Sequence, residues 1–125
     1  MDISQVQEII SDHLELITID AKSLADAKVR ASKLLVVQSV LATFLRDFEE
    51  EKSKIKTLQL ATYSQVVKSV EGKNVTEKKI NVEADPGYAS YREALEKMEG
   101  IRDYLRTHIK IFENAHLMFR QYSRE

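Results

Sequence analysis

From Met1 to Glu71 the chain contains neither proline nor glycine. These two residues interrupt helices most readily, one by removing a donor and clashing with the preceding turn, the other by its backbone freedom. Much of this stretch carries an apolar stripe at helical spacing, and a second such run fills Tyr88 to Tyr122. The pattern predicts an all-α chain. A short N-terminal helix precedes an antiparallel long helical hairpin, whose arms are joined by a short basic connector, extended or β. The stripes are wider than one helix pair can bury, so an oligomeric helical assembly is expected.

The expected divisions, within a single helical domain, are residues 1–19 (an acidic helix and link), 20–71 (the long helix), 72–85 (the basic connector) and 86–123 (the C-terminal helix). In the first, Ile3, Val6, Ile9, Ile10 and His13 or Leu14 share a face over residues 2–16, with Asp2 as N-cap. The apolar Leu16-Ile17-Thr18-Ile19, with three β-branched residues, then reads as an extended link, and Asp20 as the cap of the next helix. That helix, from about Ala21 to Val70, would span roughly 75 Å, against roughly 55 Å for the last one. One seam of its heptad pattern runs through Ala27, Leu34, Leu41, Phe48, Ile55 and Thr62, and the other through Leu24, Ala31, Gln38, Leu45, Lys52 and Gln59. Leu35, Val37, Val40 and Phe44 widen the stripe before the acidic Glu49-Glu50-Glu51. After it the stripe is narrower and wetter. Leu34, Leu41, Phe44, Leu45 and Phe48, with Leu105, Ile109, Phe112 and Phe119 from the last helix, are the expected subunit interface.

Gly72 reads as a C′ glycine, Val75 to Ala84 as a short edge strand or extended loop, and Asp85-Pro86 as N-cap and first helical residue. The last helix has one seam through Tyr91, Met98, Leu105, Phe112 and Phe119. Arg102 and His116 stand on its other seam, either fixing register against an acidic group or lying at the wet edge of the seam. Gly100, inside this pattern, suggests close packing against another helix.

Charge is segregated. Residues 1–20 hold five acids and no Lys or Arg, whereas residues 52–79 hold seven Lys against Glu71 and Glu77. Phosphates are neutralised by such cations, and aromatic rings stack on unpaired bases. Lys52, Lys56, Gln59 and Tyr63 recur at one-face helical spacing, so the candidate nucleic-acid-binding residues are Lys52, Lys54, Lys56, Gln59, Tyr63, Lys68, Lys73, Lys78 and Lys79. The competing reading makes these lysines ordinary solubilising groups. A second cluster, Lys28, Arg30 and Lys33, is balanced by Asp26. Glu50 and Lys54 are at ion-pair spacing.

Signals for other chemistry are missing. There is no Cys, no HExxH and no phosphate-binding glycine loop, and the three histidines are too dispersed to share a metal. No enzyme, cofactor or metal site is expected. No apolar run is long enough to span a bilayer, and Met1-Asp2-Ile3-Ser4 lacks the basic start of a secretion signal, so a cytoplasmic location is expected.

The order of parts resembles the phage recombination mediators of the UvsY type. The residues that carry the resemblance are Val6-Gln7-Glu8, Ile19-Asp20, Ala31-Ser32-Lys33-Leu34, Ile55-Lys56 through Tyr63, and Glu83-Ala84-Asp85 before Tyr88. The resemblance implies an oligomeric, ring-like helical protein that binds single-stranded DNA in the host cytoplasm. Its implied partners are a RecA-like recombinase and a single-strand-binding protein. Lys56 matches the lysine of the family's basic motif, and Leu58 stands where that motif has arginine, with Lys52, Lys54 and Lys68 nearby. The alternative is a helical scaffold or adaptor that oligomerises and binds a protein partner without nucleic acid.

Overall fold

The computed structural model describes residues 3–18 and 20–124. Its helices are α1 (Ile3–His13), α2 (Glu15–Thr18), α3 (Leu24–Val66), α4 (Val75–Glu83) and α5 (Pro86–Tyr122). The fold is all-α, and the described residues contain no strand. The expected Asp2 cap lies outside the described residues, as does Ile19.

Several boundaries differ from expectation, each for a local hydrogen-bonding reason. The link expected over residues 16–19 is instead the single turn α2, closed by Thr18 N–H donating to the Leu14 carbonyl at 3.1 Å. Asp20 does not cap α3. Ser23 does, its hydroxyl accepting from Asp26 N–H at 3.0 Å while the Asp26 carboxylate accepts from Lys22 N–H at 2.9 Å. Two orphan donors are satisfied by this reciprocal pair, where a lone Asp20 would satisfy one.

At its other end α3 stops at Val66, short of Val70. The Val66 carbonyl accepts from Ser69 and Val70 N–H and also from the Ser69 hydroxyl, so a tight turn replaces the next helical residues. Gly72 is therefore not a C′ glycine, and no glycine has positive φ.

The expected strand over Val75–Ala84 is the helix α4. Asn74 caps it, accepting Glu77 N–H at 2.9 Å, and Glu77 in return accepts Lys73 N–H at 3.3 Å. A lone strand would have left its backbone groups without a ladder, whereas a capped helix satisfies them internally. At α5 the expected start is found: Pro86 opens the helix and the Asp85 carboxylate accepts Tyr88 N–H at 3.1 Å.

The chain forms two compact units, Met1–Asp47 with Ile101–Glu125, and Phe48–Gly100. The first unit holds most of the core. Val6 and Ile10 come from α1, Ala27, Ala31, Leu34, Val37 and Leu41 from α3, and Leu105, Phe112, Ala115 and Phe119 from α5; all are buried. Each fully buried Leu or Phe contributes about 1.5–3 kcal/mol.

This packing corrects the expected subunit interface. Leu34, Leu41, Phe48, Leu105, Phe112 and Phe119 are buried within the chain itself, and Phe44, Leu45 and Ile109 are half-buried. A helix pair would have left part of both stripes uncovered, but α1 adds a third apolar face to this unit. The apolar residues left exposed on α3 are others, among them Val29, Leu35, Val36 and Val40.

Arg30, only 8% exposed, ties the start of this unit together. Its guanidinium pairs with Asp26 at 3.2 Å, donates to the Asp20 carbonyl at 3.1 Å and lies over the Phe119 ring at 5.6 Å. Among the described residues His116 finds no acidic partner; its Nδ1 donates to the Ala31 carbonyl of α3 at 2.7 Å. Among the same residues Arg102 pairs with its neighbour Asp103, at 3.5 Å, while its Nε is buried without a hydrogen-bond partner.

The second unit has a thinner core, with Phe48, Val82 and Met98 buried. Within it α3 and α5 run antiparallel. Lys52 pairs with Glu99 at 3.3 Å, and about three turns further along α3 the rings of Tyr63 and Tyr88 meet edge-on at 5.8 Å. α4 is held by the fully buried Val82 and by the Asn81 amide, which donates to the Glu71 carbonyl. Gly72 passes close beside it: a Cβ built there would stand 2.9 Å from the Lys78 nitrogen.

Candidate nucleic-acid interface

All nine residues expected to contact nucleic acid lie in the second unit, on α3, the turn after it, and α4. Their environments separate them into two sets. Lys52, Gln59 and Tyr63 are half-buried. Lys52 is engaged with Glu99 and Tyr63 with Tyr88, so neither the charge of the one nor the ring of the other is freely presented. The seven- and eleven-residue offsets that place these three on one face place that face toward α5.

Lys54, Lys56, Lys68, Lys73, Lys78 and Lys79 are exposed. Among the described residues none of these six side chains is in an ion pair, and the expected Glu50–Lys54 pair does not form. Lys54 and Lys56 are two residues apart on a helix and so lie on opposite flanks of α3. Lys73, Lys78 and Lys79 are positioned by the Asn74–Glu77 capping pair, which fixes where α4 begins. Lysine ammonium groups can neutralise phosphates one by one but do not read sequence.

Among the described residues no group of three His, Cys, Asp or Glu side chains is close enough to hold a metal ion. Each histidine uses Nδ1 on a backbone carbonyl: His13 on Ile9 at 2.6 Å, His108 on Tyr104 at 2.8 Å, and His116 on Ala31. Asp26 is the carboxyl group with a displaced pKa. The Lys22 N–H hydrogen bond lowers it most, the Arg30 charge lowers it further, and burial opposes both. Its role is to cap and to hold Arg30. No described helix is long and apolar enough to cross a membrane.

Sequence spacing gave no sign of a basic groove in the first unit, formed where Lys28 and Ser32 of α3 meet residues 116–124. The available signal was the Lys28, Arg30, Lys33 cluster, set aside because Asp26 balanced it. In the fold Asp26 is committed to the buried Arg30, which leaves Lys28 outside that balance. Compared with known protein families, characterised proteins and solved structures, the chain matches none.

Proposed function

We propose that this chain is a non-enzymatic accessory protein that binds single-stranded DNA and self-associates, acting as a recombination mediator of the UvsY type. The observation that carries the proposal is the set of six exposed lysines in the second unit, free of ion pairs among the described residues. Unpaired surface ammonium groups release condensed counterions from a strand without first breaking a protein ion pair. Self-association is assigned to the exposed Val29, Leu35, Val36 and Val40 of α3, since the heptad residues are already occupied within the chain. A RecA-like recombinase and a single-strand-binding protein are the partners that the resemblance supplies.

The test is fluorescence polarisation with a labelled oligonucleotide over a salt series. Lys54→Glu, Lys56→Glu and Lys78→Glu together are expected to weaken binding strongly while far-UV circular dichroism is unchanged. Equal affinity of the triple variant and the parent at every salt concentration refutes the site.

The second reading is a helical scaffold or adaptor whose lysines serve only solubility. The exposed α3 valines favour it, because an apolar face suits a protein partner whether or not nucleic acid binds. Light scattering with and without an oligonucleotide separates the two. Assembly with no change in mass on adding the strand supports the scaffold.

A further inference from the structure

We infer that the first unit carries a phosphate-binding groove of its own, shaped for an extended nucleic-acid strand. It lies between α3 and the C-terminal end of α5 and encloses about 480 Å³. Lys28, Arg120 and Arg124 supply three cations, Ser32 supplies a hydroxyl, the Ser123 hydroxyl already donates to the Arg120 carbonyl at 2.8 Å, and among the described residues no carboxylate lines the groove. All three cationic residues are exposed, and none is in an ion pair among the described residues.

The chemistry of these groups suits phosphate. Two guanidinium forks present paired N–H donors that match non-bridging phosphate oxygens, and the Ser32 hydroxyl adds a single donor. His116 also lines the groove. Its Nδ1 donates to the Ala31 carbonyl at 2.7 Å, which holds the ring in place at the groove wall.

The shape favours a polymer over a free anion. Arg120 and Arg124 are one helical turn apart and also line a neighbouring groove of about 580 Å³ with Leu117 and Gln121. The arginine pair is thus bordered by open grooves on both flanks, a path that continues past the cations. A single phosphate ion would engage one of them, whereas a strand with a phosphate at every nucleotide engages them in series. The apolar floor of Ala31 and Leu35 tolerates the sugar and base that each phosphate brings with it. A strand held here shares only its chemical class with the one proposed for the second-unit lysines, and the variants below separate the two sites.

The experiment measures polarisation of a fluorescein-labelled 20-nucleotide oligo-dT against the full chain over a salt series. Lys28→Gln, Arg120→Gln and Arg124→Gln are introduced together. Each phosphate contact on a single strand adds about 0.7 to the slope of log affinity against log salt, so the triple variant should lose about 2 from that slope. A charge-conserving variant, Arg120→Lys with Arg124→Lys, should keep most of it, which separates lost charge from lost fold.

A parental slope in the glutamine variant overturns the groove and leaves the lysine site standing. A loss in the glutamine variant, with parental binding by the Lys54, Lys56, Lys78 variant, establishes the groove and removes the lysine site. No binding by the parent removes both. A labelled poly-glutamate peptide binding as tightly as the oligonucleotide, and lost in the same variant, overturns the phosphate assignment in favour of an acidic protein partner.

Discussion

Replacing Gly72 with alanine should destabilise the protein, and replacing Gly100 with alanine should stabilise it, although both glycines have ordinary backbone angles. At Gly72 the new Cβ would stand 2.7 Å from Lys78 Cγ, 2.9 Å from its backbone nitrogen and 3.1 Å from its Cα. The side-chain carbon can swing away, but the nitrogen and Cα belong to α4. That helix is fixed by the Asn74 cap before the contact and by the buried Val82 after it. Overpacking of this kind costs about 1–3 kcal/mol, offset by about 0.4–1 kcal/mol from the stiffer unfolded chain.

The net loss is about 1–2 kcal/mol. At Gly100 nothing lies within 4 Å, and the residue sits inside α5. Alanine there gains about 1 kcal/mol of helix propensity with no contact to oppose it. This also corrects the expectation that Gly100 marks a close helix approach. The two variants should therefore differ by about 2–3 kcal/mol, or roughly 10 °C in Tm for a domain of this size. Urea and thermal unfolding followed at 222 nm, at one fixed protein concentration, read the difference directly. Gly72→Ala as stable as the parent would refute the packing of α4 against residue 72. Gly100→Ala without a gain would show that another surface covers that position.

Phe112→Ala should cost about 3–5 kcal/mol in urea unfolding, because the ring is fully buried and its removal leaves a cavity in the core. Asn74→Ala should lose about 1 kcal/mol through the missing cap, with reduced helicity at α4 seen as faster amide exchange over residues 75–79. The Asp26 pKa is lowered, so its stabilising contribution is complete above the ordinary carboxylate range and is lost as pH falls through the depressed value. Parent protein should therefore lose stability relative to Asp26→Asn as pH drops below about 4, and parallel pH profiles for the two would refute the assignment.

The register of the long helices was readable in the sequence because burial follows the heptad. Ala27, Leu34, Leu41 and Phe48 on one seam of α3, and Met98, Leu105, Phe112 and Phe119 on one seam of α5, are all buried. The Asp85-Pro86 start was equally readable, since it depends on two adjacent residues. The connector was misread because its weak alternation suits a strand, while the signal that decides it is the Asn74–Glu77 pair. The candidate site was readable as a concentration of charge, and the lysines that present it were not separable from Lys52. Heptad position places Lys52 near the seam, but its engagement depends on Glu99, which lies 47 residues further along the chain.

By itself, the sequence determined that this chain is helical, where its long helices carry their apolar seams, and which segment concentrates positive charge. Those properties depend on residues within a turn or two of each other, through backbone hydrogen bonding, steric preference and periodicity. Only the tertiary structure decided which apolar residues are spent on the chain's own core and which stay exposed. It also decided which cations are paired and which meet across α3 and α5 in a groove. Burial and pairing depend on side chains distant in sequence, such as Ala31 with His116 and Lys52 with Glu99, and no local pattern encodes those partners.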